Sequence, residues 1–128
     1  MSTLAPGLFY TKDDEWLRLE GDEAVIGISD YAQDALSDIV YLELPEIGDS
    51  FGQGDVIGVI ESVKAAADLL TPVAGEITAV NADLAGNPEQ LNNTPYEAWL
   101  VRIKMSAPAQ ATALMDAAAY AAYRGINN

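Results

Sequence analysis

The chain has neither cysteine nor histidine. Without cysteine there is no disulfide framework and no thiolate metal site. Without histidine, the usual general base near neutral pH is missing, as are the commonest metal ligand and the serine–histidine–aspartate triad. Positive charge is scarce as well: six Lys and Arg stand against twenty Asp and Glu, a formal net charge of −14. Such a surface repels nucleic acid and anionic lipid and favours partners with basic docking faces. Taken alone, the acidity needs no explanation beyond solubility. No apolar run approaches the length of a membrane span. Met1 to Pro6 lacks the basic start and apolar stretch of a secretory signal, and it is too short and arginine-poor for a transit peptide. A cytoplasmic protein is therefore expected, and the sequon-like Asn92-Asn93-Thr94 carries no meaning in that compartment.

What is present fits one globular domain spanning 1–128, long enough to bury a core without disulfides or metal. Trp16 to Glu20 alternates and ends at the turn signal Gly21-Asp22, and Ala24 to Ile28 follows as a second apolar run, so the two predict a hairpin. Ser29 or Asp30 can cap a short helix reaching Leu36. Ile39 to Leu44 alternates with Val40, Leu42 and Leu44 on one face, and Pro45 ends it. Gly48, Gly52 and Gly54 mark turns around Phe51. Val56 to Ile60 is nearly continuous in apolar character, which predicts a strand covered on both faces. Thr71 to Gly75 breaks the chain, Glu76 to Val80 reads as a strand, and Asn81 to Pro95 reads mostly as loop. Trp99, Val101 and Ile103 alternate inward along a last strand. After Pro108 the period becomes helical, with Leu114, Ala118 and Ala121 on one face and Arg124-Gly125 at the end. The pattern predicts many short strands in a compact β fold over about residues 10–105 and a C-terminal helical segment over about 108–124.

Glu61 to Asp68 carries the chemical interest. Lys64 lies between two strand-like runs, at or near a tight turn, and Ala65, Ala66 and Ala67 follow it. Small neighbours leave its amine open to a modifying enzyme, and a turn tip holds an attached group clear of the protein. The other lysines are ordinary: Lys104 ends a strand beside Arg102, and Lys12 lies in an acidic stretch. On composition and spacing alone, Lys64 too is a solvated charge at a hairpin tip.

Glu61-Ser62-Val63-Lys64-Ala65 resembles the lipoyl-attachment signature of glycine cleavage H proteins. Other parts of the chain resemble that family in order: Gly27 to Gln33, Asp38 to Pro45 with Gly48-Asp49, Pro72 to Ile77 with Val80-Asn81, Pro95-Tyr96, Trp99-Leu100, Ile103-Lys104, and Leu114 to Ala117 with Tyr120. The resemblance runs from about Tyr10 to Tyr123 without a large gap. It implies a mainly β, lipoyl-domain-like barrel-sandwich hybrid of short antiparallel strands, with small helices and a C-terminal helix. It implies lipoate joined to Lys64 by an amide, which deletes the ammonium charge. It also implies a non-catalytic carrier. A glycine decarboxylase (P protein) loads the arm with an aminomethyl group, an aminomethyltransferase (T protein) unloads it, and dihydrolipoyl dehydrogenase (L protein) reoxidises the dithiol; lipoyl-attaching enzymes act beforehand. A chain without thiol or imidazole suits that role, because the cofactor brings the sulfur chemistry.

The same resemblance places Glu15, Trp16 and Asp68 along the cleft that shelters the arm, with Asp13 beside them where the family often has serine. Asp14 stands where the family usually shows histidine, and the segment between Tyr96 and Trp99 looks shorter than usual. A lipoyl relay or a lipoyl domain of 2-oxo-acid dehydrogenases shares the hairpin, but those domains usually place aspartate before the lysine and lack the terminal extensions; here Val63 precedes Lys64. Biotin carriers usually flank the lysine with methionine, unlike Val63 and Ala65. Paired acids can catalyse, so an enzyme using Glu15 with Asp13 or Asp14 is the remaining class, although in so acidic a chain chance explains the cluster better.

Overall fold

A computed structural model describes residues 3–126. In chain order the elements are β1 (Phe9–Tyr10), β2 (Glu15–Glu20), β3 (Glu23–Ile28), α1 (Asp30–Leu36), β4 (Ile39–Glu43), β5 (Ser50–Phe51), β6 (Val56–Ser62), β7 (Ala66–Leu70), β8 (Gly75–Val80), α2 (Ala82–Gly86), α3 (Gln90–Asn93), β9 (Val101–Met105), α4 (Ala109–Thr112) and α5 (Ala117–Arg124). All pairings are antiparallel. One sheet runs β1-β2-β3-β9-β8-β5 and the other β4-β6-β7. Leu17, Ile26, Ile77 and Ile103 from the larger sheet, and Leu42, Ile60 and Leu69 from the smaller, share one buried cluster. The fold is thus mainly β, as expected.

The β2–β3 hairpin closes from Glu20↔Glu23 over Gly21-Asp22, with Gly21 at φ +65°. Glycine meets that turn without the steric cost of a Cβ. Ser29 is the cap of α1: its side chain accepts from the Ala32 amide. A second apolar cluster lies under the C-terminal helix, where Tyr10 stacks on Tyr120 with ring centroids 4.6 Å apart. Trp16 is fully buried there and donates its indole N–H to the Pro95 carbonyl at 2.9 Å. Gly27, its partner across the hairpin, makes room: a Cβ on Gly27 would collide with the Trp16 ring.

Several expectations need correction. In β4, Ile39 and Leu42 are buried while Val40 is 55% exposed. A register shift between Ile39 and Tyr41 breaks the alternation, since an extra residue in a strand reverses the faces that follow it. β6 is not covered on both sides: Val56 is half exposed and Val59 only partly buried, because the smaller sheet packs one face on the core. Residues 81–95 are not mostly loop but hold α2 and α3, which bury Leu84 and Leu91. The C-terminal segment is two helices, not one. The chain straightens between them so that Met115 can bridge to Tyr10, and Asp116 then caps α5 through the Ala119 amide. The buried face of α5 is consequently Tyr120 and Ala121, with Ala118 outside. Trp99 lies before β9 and packs with the second cluster.

Candidate functional site

β6 and β7 pair as far as Glu61↔Ala66, which leaves Ser62 to Ala65 to turn the chain. The Ser62 amide donates to the Ala65 carbonyl at 2.7 Å. The Ser62 hydroxyl oxygen accepts from the Ala65 and Lys64 amides at 3.1 and 3.3 Å. The Val63 amide donates to the Asp38 carbonyl at 3.0 Å, tying the tip to the segment that enters β4. With its backbone held in this way, the turn presents the side chains of Val63, Lys64 and Ala65 to solvent. Lys64 makes no ion pair among the described residues. By contrast Lys104 lies 4.0 Å from Asp22, and Lys12 lies over the Tyr123 ring. An exposed, unpaired amine on an ordered turn is what an acylating enzyme requires.

Strand alternation extends the site away from the tip. Leu69 points into the core, so Ala66, Asp68 and Leu70 share the outer face of β7. From Ala66 to Leu70 that face runs about 13 Å at the strand rise per residue. At its far end is a recess of about 170 Å³, bounded among others by Thr11, Asp13, Glu15, Leu70, Pro72 and Leu114. Glu15 is 3% exposed. Its carboxyl accepts from the Thr11 hydroxyl at 2.8 Å and from the Leu70 amide at 3.3 Å. Burial pushes its pKa up from the ordinary 4.5 to about 8; the Thr11 bond opposes this, and the nearby Asp13 charge adds to it. Near pH 7 Glu15 is therefore mostly protonated.

A neutral acid in a partly apolar recess has a definite chemistry. A primary amine entering beside Glu15 can take the carboxyl proton, leaving an ammonium against a carboxylate. Thr11 and Leu70 already hold that carboxylate in place. In surroundings that exclude water, the resulting charge-assisted bond is about twice as strong as a neutral one.

Of the sequence-predicted acids, Asp13 and Glu15 come together at the recess. Asp68 does not border it. Its register partner is Val59, and its side chain is exposed on the outer face of β7, two positions nearer the tip than Leu70. Asp14 faces elsewhere and pairs with Arg124 at 2.7 Å. Thr11 and the Leu70 amide, which hold Glu15, had no signal in the sequence: one is a lone hydroxyl four residues upstream, the other a backbone group from a distant strand. Among the described residues no cluster of three or more His, Cys, Asp or Glu is placed to hold a metal ion. Among the same residues no helix is long and apolar enough to cross a membrane.

The glycine cleavage H-protein family model matches residues 8–125. The glycine cleavage system H protein 2 of Pseudomonas putida is 51% identical over 126 residues, covering 98% of this chain and 99% of the relative. The glycine cleavage system H protein of Magnetococcus marinus is 52% identical over 117 residues, 91% of this chain and 84% of its own length. In three dimensions the chain is similar to the crystal structure of a glycine cleavage system H protein from Mycobacterium marinum. That similarity has a TM-score of 0.88 at 32% identity, over 96% of this chain and 100% of the other.

Proposed function

Because this chain belongs to the glycine cleavage H-protein family, we propose that it carries lipoate on Lys64 and shuttles the aminomethyl group of glycine. The route runs from a cytoplasmic glycine decarboxylase (P protein) to an aminomethyltransferase (T protein), after which dihydrolipoyl dehydrogenase (L protein) restores the arm. The observation that carries this reading is the unpaired Lys64 on a braced turn, from which the outer face of β7 leads to the Glu15 recess. Bound lipoate would supply a disulfide that opens as it takes up the cargo.

The residues fit that group. Lys64 offers an amine for the amide, and Ala65 to Ala67 leave the path along β7 free of bulk. Leu70, Pro72 and Leu114 give the recess apolar walls, while Glu15 and Asp13 give it acceptors for a cation. The chain itself catalyses nothing in this reading. It presents the arm, shelters the cargo and holds the cargo amine protonated at Glu15.

Expression with lipoate and a lipoyl-attaching enzyme, followed by peptide mass spectrometry, tests the attachment. A single lipoyl group on Lys64 is the expected result, and Lys64→Arg should fold normally yet remain unmodified, since a guanidinium is no substitute acceptor. Modification of Lys12 or Lys104 with Lys64 untouched would overturn the assignment.

A further inference from the structure

Asp14 is one of two non-glycine residues at positive φ among the described residues, at +70°. Such a conformation is strained for a residue with a side chain unless its surroundings hold it. Here they do. The Asp14 carbonyl accepts from the Ser29 amide at 2.8 Å. One carboxylate oxygen accepts from the Tyr120 hydroxyl and from Arg124 Nε, both at 2.8 Å, and the other from Arg124 Nη2 at 2.7 Å. Arg124 Nη2 also donates to the Lys12 carbonyl at 3.1 Å. The guanidinium lies between the Tyr31 and Tyr123 rings, 4.6 and 4.8 Å from their centroids. The two side chains of the ion pair are 16% and 25% exposed, so solvent screens them less than an ordinary surface pair.

The turn that carries Asp14 also builds the recess. Thr11 and Glu15 close it, the Thr11 amide donating to the Glu15 carbonyl at 3.0 Å and the Glu15 amide to the Thr11 hydroxyl at 3.1 Å. Asp13 and Glu15 border the recess while Asp14 does not, so the turn divides its acids between two jobs. We propose that Asp14 and Arg124 are positioning residues for cargo retention: their clamp anchors α5 to the turn and so sets the placement of Thr11 and Glu15. This rests on the carrier reading given above.

Two measurements test it, and the Glu15→Ala variant is the common control. In lipoylated protein loaded chemically with aminomethyl cargo, spontaneous ammonia release is timed without the transferase. Arg124→Gln is expected to speed release several-fold in the parent and to add nothing in the Glu15→Ala background, because the clamp acts through Glu15. Arg124→Lys keeps the stem and the charge but loses the two-pronged contact, so it should fall between parent and Gln while folding normally. The second measurement needs no arm: the Glu15 carboxyl is titrated by NMR in unmodified protein. Its titratable and charged neighbours in the turn are Lys12, Asp13 and Asp14. β7 brings Asp68, on the same outer face as Leu70 and two positions nearer the tip; residues 53–54 and 71–72, and Leu114, which close the recess opposite, bring no titratable side chain. Burial is the main cause of the raised Glu15 midpoint, so loosening the turn from either side, by Asp14→Asn or by Arg124→Gln, should lower it toward the ordinary value, whereas direct charge effects alone would make Arg124→Gln raise it. Release accelerated equally in both backgrounds, or midpoints moving in opposite directions in the two variants, would overturn the positioning role. If Glu15→Ala itself leaves release unchanged, the retention reading fails, and the clamp with it.

Discussion

Replacing Glu15 by glutamine should make the protein relatively more stable as pH rises. In the folded chain the Glu15 carboxyl keeps its proton to about pH 8, against an ordinary 4.5, because it is buried. The folded state therefore binds more protons than the unfolded state between these two values, and stability falls with pH across that window. The stabilisation is fully present below pH 4.5 and gone by the time pH has risen through 8. The whole displacement corresponds to about 5 kcal/mol between the two protonation states. About 3 kcal/mol of it falls between pH 5.5 and 8.5. Glutamine never ionises and has the same shape, and its carbonyl can still accept from Thr11 or Leu70. Urea unfolding of parent and Glu15→Gln at pH 5.5, 7 and 8.5 isolates the effect, since all other acids are common to both. The variant's midpoint should gain on the parent's by about 1.5 M across that range for an m-value of about 2 kcal/mol/M. A difference that stays flat with pH would refute the argument that Glu15 is held neutral by burial.

The recess and the β7 face predict unequal effects on cargo. Glu15→Ala should speed ammonia release from the loaded form by about tenfold, the scale of one lost charge-assisted bond, while Asp68→Ala should have a smaller effect because it borders only the approach. Neither should change lipoylation or reoxidation of the dithiol, measured by mass spectrometry and by dehydrogenase turnover. Association with the decarboxylase and the transferase should slow as salt rises, given the −14 net charge; rates flat across ionic strength in stopped flow would leave the acidity a solubility feature. Gly75→Ala should cost about 1–3 kcal/mol by thermal or urea unfolding, because a Cβ there collides with the Lys104 carbonyl on the neighbouring strand.

Local chemistry made some elements legible in the sequence. Trp16 to Ile28 is a hairpin because the alternation and the Gly21-Asp22 turn are both short-range facts, and Ser29 caps α1 through a neighbour three residues away. Lys64 falls in a turn because two apolar runs flank a polar interruption, and Ser62 closes that turn with its own near neighbours. What escaped depends on contacts remote in sequence. The bulge that turns Val40 outward is set by pairing with β6, and periodicity within β4 alone does not contain it. α2 and α3 form where Leu84 and Leu91 find the core, although their Asn- and Pro-rich segment reads as loop.

The site divides along the same line. The turn, the exposure and the small neighbours of Lys64 are all written in a single octapeptide, Glu61 to Asp68, although spacing alone leaves it a solvated charge and only the resemblance singles it out for attachment. The acids are different, because an acidic residue's role depends on what excludes water from it. Asp13, Asp14 and Glu15 are adjacent in a chain full of carboxylates, and nothing in their order separates them. Tertiary structure sends Asp14 to Arg124, leaves Asp13 on the rim and buries Glu15 against Thr11 and the Leu70 amide. The exposed turn that carries Lys64 was thus determined by sequence, because a turn is local chemistry. The acid that stays protonated was decided only by folding, because desolvation comes from strands and loops brought together across the whole chain.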